Sequence, residues 1–222
     1  DDLAAAGVQV RHALPVGHGL RDHPACGFGF RSRTLSSTHG RLIATVLRSA
    51  GNGAGEPEFQ VHPMPLDEED GRCTLFVFLT RSDPQGTVQI RSADPHMAPV
   101  IDHRYLTGSD DLRRFELAWD LCRQLLAAGP FRSADTRPEA PTAVEALATG
   151  LASAHHQSGT CRMGPPDGRS VVDPALRVHG TEALLVADAS VFPDTIMHNT
   201  NLMAYTVGEV AADLVRGVSL SA

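Results

Sequence analysis

The sequence predicts an α/β chain with two kinds of sheet, a mostly antiparallel one in its middle and a parallel-type region near its C-terminal end. Three observations carry this. Short runs of alternating apolar and polar residues, separated by loop-forming residues, fill much of residues 27–105. Leu112, Phe115, Trp119, Cys122 and Leu126 recur at helical spacing. Ala183-Leu184-Leu185-Val186-Ala187 is continuously apolar, the pattern of a strand buried on both faces of a parallel sheet.

From the start of the chain, Leu3–Ala6 reads as the end of a short helix stopped by Gly7, and Val8-Gln9-Val10 as a strand. Glycine and proline are so dense between Pro15 and Pro24 that the backbone must turn repeatedly, as in loops that wrap a ligand. Strand candidates follow at Gly27–Phe30, Glu58–His62, Thr74–Thr80 and Thr87–Arg91. Gly51-Asn52-Gly53-Ala54-Gly55 lacks phosphate-loop spacing and leads into Glu56-Pro57, so it is read as a surface turn. Ser109 is placed to cap a helix over about 110–128, whose apolar stripe is widened by Leu121 and Leu125 and puts Trp119 in the core. Residues 136–141, with two prolines, read as a surface linker. Thr142-Ala143-Val144-Glu145 is a capping box for a helix to about Ala152, which delivers the chain to His155 and His156. A last helix runs from about Leu202 to Arg216 and ends at Gly217.

With 42% hydrophobic and 20% charged residues, the 222-residue chain has the composition of a globular protein of one or two domains, and the two sheet types favour two. All basic residues are Arg and the net charge is -7, which argues against nucleic acid or an anionic membrane as partner and leaves small-molecule chemistry. Cys26, Cys73, Cys122 and Cys161 form no Cys-x-x-Cys pair, so four reduced thiols, no metal site and a cytoplasmic setting are expected. No apolar run reaches the roughly 20 residues needed to span a bilayer. Neither a Gly-x-Ser-x-Gly elbow nor a His-Glu-x-x-His metal helix is present, which weakens hydrolase readings.

The chemistry concentrates in three stretches: His156-Gln157-Ser158-Gly159-Thr160-Cys161-Arg162-Met163-Gly164, Val186-Ala187-Asp188-Ala189-Ser190, and His198-Asn199-Thr200-Asn201. Asp188 ends the apolar run, where ligands of open α/β sheets bind. Asn199 stands at the start of the last helix, where backbone N–H groups are unpaired and the dipole is positive. N–H groups around Thr200 to Leu202 suit the charge that develops on a reduced flavin, while a neutral His156 suits the proton of an alcohol, with Asn199 bonding the same oxygen. Ordinary helix capping accounts equally well for Asn199, Thr200 and Asn201. A strand-linked Gly-x-Gly-x-x-Gly loop for a dinucleotide pyrophosphate is absent from the sequence.

These three stretches, with Val171-Val172-Asp173-Pro174-Ala175-Leu176-Arg177-Val178-His179-Gly180, resemble the C-terminal signature of the glucose-methanol-choline flavin oxidoreductases. The loop Asp22-His23-Pro24, with Gly17 and Leu20 ahead of it, is similar to a further segment of that family, although Gly19 stands where the family usually has Asn. The resemblance implies His156 as the catalytic base and Asn199 as the second catalytic position. It implies that Asp188 and Ala189 contact the FAD pyrophosphate and ribityl region, and that the backbone of Asn201 and Leu202 faces the flavin pyrimidine edge, beside Asn199 and Thr200. The expected domains are residues 1–26 and 165–222 as parts of a Rossmann-like FAD-binding domain and 27–164 as an α+β substrate-binding domain. The implied activity is oxidation of a small-molecule alcohol by hydride transfer to flavin N5, together with a separate or cleaved N-terminal FAD-binding portion. A hydroxynitrile-lyase-type enzyme of the same architecture and a non-catalytic binding fragment are the alternatives.

Overall fold

The alternating runs in the middle of the chain do pair as antiparallel strands, but in two sheets instead of one. The computed structural model describes residues 2–32, 46–48, 57–64, 67, 69–108, 110–128 and 136–217. In chain order the elements are α1 (Asp2–Ala5), β1 (His18–Leu20), β2 (Pro24–Arg31), β3 (Val46–Arg48), β4 (Phe59–Pro63), β5 (Arg72–Leu79), β6 (Gly86–Gln89), β7 (Val100–Asp102), α2 (Asp111–Ala127), β8 (Arg137–Pro138), α3 (Ala143–Gly150), β9 (Ala152–Ser153) and α4 (Asn201–Arg216). They form two compact units. One holds residues 1–22, 83–105 and 155–222, and the other 23–82 and 106–154. The boundaries of these units fall after residues 22, 82, 105 and 154.

In the second unit the strand order is β3-β4-β5-β2-β8, with β9 also on β2. Ala25 and Gln60 flank Phe78 in register. Alternation along the strands decides the faces. Cys26, Phe28, Val61 and Val77 point to one side and pack with Phe115, Trp119 and Cys122 of α2 and with Leu147 of α3. On β5, Phe78 belongs to the alternate set, and its ring stacks on His23 (5.7 Å) and His62 (5.1 Å). Burial pushes the His62 imidazole below its ordinary pKa.

The stripe on α2 behaves as its spacing predicts, with Phe115, Trp119, Cys122 and Leu126 buried, except that Leu112 is left exposed. Ser109, the expected cap, lies outside the described residues; Asp110 is the N-cap residue, without a side-chain cap bond. Two charged residues of α2 are buried as well. Arg114 bonds Asp111 at 3.2 Å and Glu58 at 3.3 Å, and Ser82 donates to Asp111 at 2.8 Å, which satisfies groups that burial would otherwise penalise. The capping box at Thr142 is present in both directions, but α3 stops at Gly150 and Ala152 pairs with β2 instead. The expected linker contributes Arg137–Pro138 to the edge of β2. The predicted turn at residues 51–55 lies outside the described residues.

In the first unit, β1, β6 and β7 make a three-stranded antiparallel sheet, with Thr87 paired to both His18 and Asp102. Val8–Val10 form no strand, because no ladder partner lies beside them among the described residues, and both valines are exposed. The apolar run Ala183–Ala187 is likewise no doubly buried strand. It turns back on residues 176–178, with Val178 N–H donating to Leu184 and Val186 N–H to Leu176, and this irregular hairpin leaves Leu184 52% exposed. Val171, Val172, Leu176, Val191 and Phe192 form the core of this unit, packed by Val207, Val210 and Leu214 of α4. Gly217, at φ 75°, closes α4 by donating to Asp213 and Leu214, a backbone geometry glycine enters without strain.

Candidate active site

Three stretches far apart in sequence run side by side in the first unit. Arg21 and Ser158 exchange backbone hydrogen bonds (3.0 and 2.9 Å), and Gly17 N–H donates to Thr160 at 2.8 Å. On its other edge the segment from Gly159 to Met163 donates to Ala189, Ser190 and Val191. Glycine makes this close approach feasible. Gly159 has φ +84°, and a Cβ there would sit 2.6 Å from the carbonyl oxygen of Gly19.

Beside these stretches lies a cleft of about 410 Å³. Leu20, Val88 and Ile101 give it an apolar wall, while His103, Gln157, Ser158, Thr160, Asp188 and Ser190 supply polar groups. Asp188 is the N-cap of a 3₁₀ turn, Ala189–Val191, and accepts from Ser190 N–H at 2.8 Å. Burial raises the nearby Cys161 thiol pKa, an effect opposed by a Ser190 hydrogen bond and reinforced by the Asp188 charge. Arg21 pairs with Asp194 and donates to Thr195 at 2.8 Å. The Asp194 pKa is lowered chiefly by the Thr195 backbone N–H, with the Arg21 guanidinium adding to it.

Of the sequence-predicted residues, Asp188 and Ala189 line the cleft, together with the segment that follows His156. His156 itself is half-buried, with its backbone N–H donating to Asp22 Oδ1 at 3.0 Å, and is not among the lining residues. The preceding His155 is exposed and takes a left-handed φ of 61°. Asn199, Thr200, Asn201 and Leu202 lie at the start of α4 and outside the cleft lining. Thr200 is the N-cap residue and no side chain caps the helix, so capping does not account for Asn199. Asn199, Asn201 and Leu202 are exposed.

Sequence reasoning missed His103 and the role of Asp22. Asp22 is buried and also accepts from Gln157 Nε2 (3.1 Å) and from the Tyr105 hydroxyl; its Oδ2 lies 3.7 Å from His103 Nδ1. His103 belongs to no spaced motif, and the likeness of Gly17, Leu20 and Asp22-His23-Pro24 to a family segment marked the Asp22 loop without giving the Asp22 side chain a role. Among the described residues, no group of three His, Cys, Asp or Glu is arranged to hold a metal ion, and no helix is long and apolar enough to cross a membrane.

Residues 82–208 match the model of a known family, described as GMC oxidoreductase. An uncharacterised GMC-type oxidoreductase of Mycobacterium bovis is 35% identical over 93% of the chain and 46% of its own length. Human mitochondrial choline dehydrogenase is 32% identical over 98% of the chain and 44% of its own length. Among solved structures, pyridoxine 4-oxidase from Mesorbium loti superposes with a TM-score of 0.82 at 24% identity, covering 99% of this chain and 47% of that one. Formate oxidase of Aspergillus oryzae, solved in work on FAD modification, gives 0.80 at 22% identity over 97% of this chain and 50% of that one. These likenesses bear out the mixed α/β fold. The chain spans a little under half the length of the curated relatives it matches. The family model covers more than half of the chain and the relatives align along nearly all of it, so the chain belongs to the GMC oxidoreductase family.

Proposed function

We propose that the chain is the C-terminal portion of an FAD-dependent enzyme that oxidises a small-molecule alcohol. The observation that carries this is the side-by-side placement of residues 17–22, 156–163 and 188–195 around one cleft, in a chain that belongs to a family of oxidoreductases. The cleft suits part of a flavin cofactor: the apolar wall fits a flat ring, and Asp188, Ser190 and Thr160 fit a polyhydroxyl chain and its polar neighbours. Flavin, when bound, supplies the hydride acceptor for a CH–OH group.

Within this reading His156 takes the hydroxyl proton of the alcohol, a task that suits histidine as a residue type. Asn199 hydrogen-bonds the same oxygen. Asp188 and Ala189 hold the ribityl and pyrophosphate region, and the first-turn N–H groups of α4 at Asn201 and Leu202, next to Thr200, meet the flavin's electron-rich edge. The first unit is then part of the FAD-binding domain and the second the substrate-binding domain. A partner portion with a Gly-x-Gly-x-x-Gly loop supports the pyrophosphate, as relatives about twice as long leave room for. The four cysteines, free in the structure, support a reducing, cytoplasmic setting.

The test is to supply the N-terminal portion, on the same or a second polypeptide, and to follow the flavin spectrum anaerobically against a panel of primary alcohols. Bound FAD that bleaches with an alcohol is the expected result. Bound FAD that no alcohol bleaches, with cleavage of a cyanohydrin, points to lyase chemistry. Absence of flavin with every N-terminal complement leaves a binding fragment.

A further inference from the structure

Arg21 and Asp22 are neighbours in an extended segment, and their side chains serve different partners: Arg21 pairs with Asp194, while Asp22 reaches the loop that starts at His156. The Asp22 side chain is fully buried. Its Oδ1 accepts the His156 backbone N–H (3.0 Å), and its Oδ2 accepts Gln157 Nε2 (3.1 Å) and the Tyr105 hydroxyl. His103, stacked on Tyr105 with ring centroids 4.6 Å apart, places Nδ1 3.7 Å from Oδ2. One carboxylate thus joins two loops that both contribute side chains to the cleft, His103 from one and Gln157 from the other. Desolvating a carboxylate is costly, and here its oxygens are engaged by donors that fix backbone and side chain together.

We propose that Asp22 is a positioning residue for the reaction: held from the side of the His103–Tyr105 loop, it sets the His156 backbone, and through it the His156 side chain, in the arrangement the reaction needs. The proposal rests on the reading of His156 as the base. An Asn at this position keeps an oxygen for the His156 N–H but turns a second donor toward those of Gln157 and Tyr105, so the clamp opens while the volume stays the same.

Two measurements on Asp22→Asn separate this proposal from the reading it rests on. Amide hydrogen exchange at His156–Ser158 in the chain itself should quicken about five- to ten-fold, the loss expected when a charge-assisted bond becomes a neutral one. In the flavin-loaded protein the limiting rate of flavin reduction should fall about 10- to 100-fold with the alcohol's apparent dissociation constant unchanged, as misplacement of a reacting group does. Added to His156→Ala, Asp22→Asn should then cost nothing more. Unchanged exchange in Asp22→Asn overturns the positioning claim. Fast exchange with an unchanged reduction rate, alongside a His156→Ala protein that still reduces normally, overturns the base assignment and with it the catalytic half of the proposal. A full additional loss in the double variant shows that Asp22 acts elsewhere and overturns the proposal. Should Asp22→Asn not fold, Tyr105→Phe removes one donor alone and must give the same pattern at smaller amplitude.

Discussion

The indole of Trp119 meets the ring of Phe28 edge-on, with centroids 4.9 Å apart and planes 63° apart, and both side chains are sealed from water. Such pairs add about 0.5–1.5 kcal/mol to what area burial supplies. Trp119→Ala also opens a cavity against α3, so it should lower unfolding free energy by about 3–5 kcal/mol. Urea titration followed by circular dichroism measures this; a loss under about 1 kcal/mol would mean the ring is not a core element. Because Trp119 is the only tryptophan, fluorescence excited selectively at tryptophan, and not at Tyr105 and Tyr205 of the first unit, reports on the second unit.

His156 and His155 are adjacent, yet they differ in setting: the first is half-buried and tied to Asp22, the second exposed. His156→Ala should slow flavin reduction about 10²- to 10⁴-fold in the loaded protein, while His155→Ala changes it little. Rapid mixing under anaerobic conditions reads both. Equal losses would show that the wrong histidine has been named.

At Gly159 a substituted side chain meets two penalties, a left-handed φ of +84° and a Cβ 2.6 Å from the Gly19 carbonyl oxygen. Gly159→Ala is expected to cost at least about 1–3 kcal/mol from backbone strain alone. Gly168→Ala is the control, since it shares a positive φ of +80° but has open space around it. Thermal melting should rank Gly159→Ala well below Gly168→Ala; equal melting points would refute the close approach.

Acid should weaken the chain partly through His62. Burial lowers its pKa in the folded state, so between that value and the unfolded value near 6.5 the unfolded chain binds more protons, and stability falls as pH drops through this window. Its Nε2 sits 3.0 Å from Gln60 Oε1. His62→Gln, which cannot gain a charge, should show a smaller drop in melting temperature between pH 7.5 and pH 5. An identical drop in both proteins would assign the acid sensitivity to another group.

Local signals in the sequence translated well where the partner is also local. The capping box of Thr142 and Glu145 lies within four residues, and the stop at Gly217 depends only on its own φ, so both could be read directly. The α2 stripe held apart from Leu112, because the spacing that gathers Phe115, Trp119, Cys122 and Leu126 on one face is set within the helix itself. Reading failed where a partner far along the chain decides. The run Ala183–Ala187 has the composition of a buried strand, but composition names no ladder partner, and the hairpin with residues 176–178 takes it out of register with any longer sheet. The runs within residues 27–105 read as one mostly antiparallel sheet, but β6 pairs with β1 and β7 in a separate one. At the site, the His156 loop and Asp188 were legible as motifs. The grip of Asp22 on that loop, made 134 residues away, has no counterpart in any local pattern.

The division of the chain among its units also sets an order of events at the ribosome. The second unit ends at Ala154, whereas the first draws on residues 1–22, 83–105 and 155–222. Its first two stretches therefore emerge long before the third, which brings the apolar cluster around Val172 and Phe192. Loops that close over such separations are slow, and domains complete themselves as units once their last piece is available. During synthesis every residue of the second unit is made before the third stretch of the first, so the first unit is the later of the two to complete.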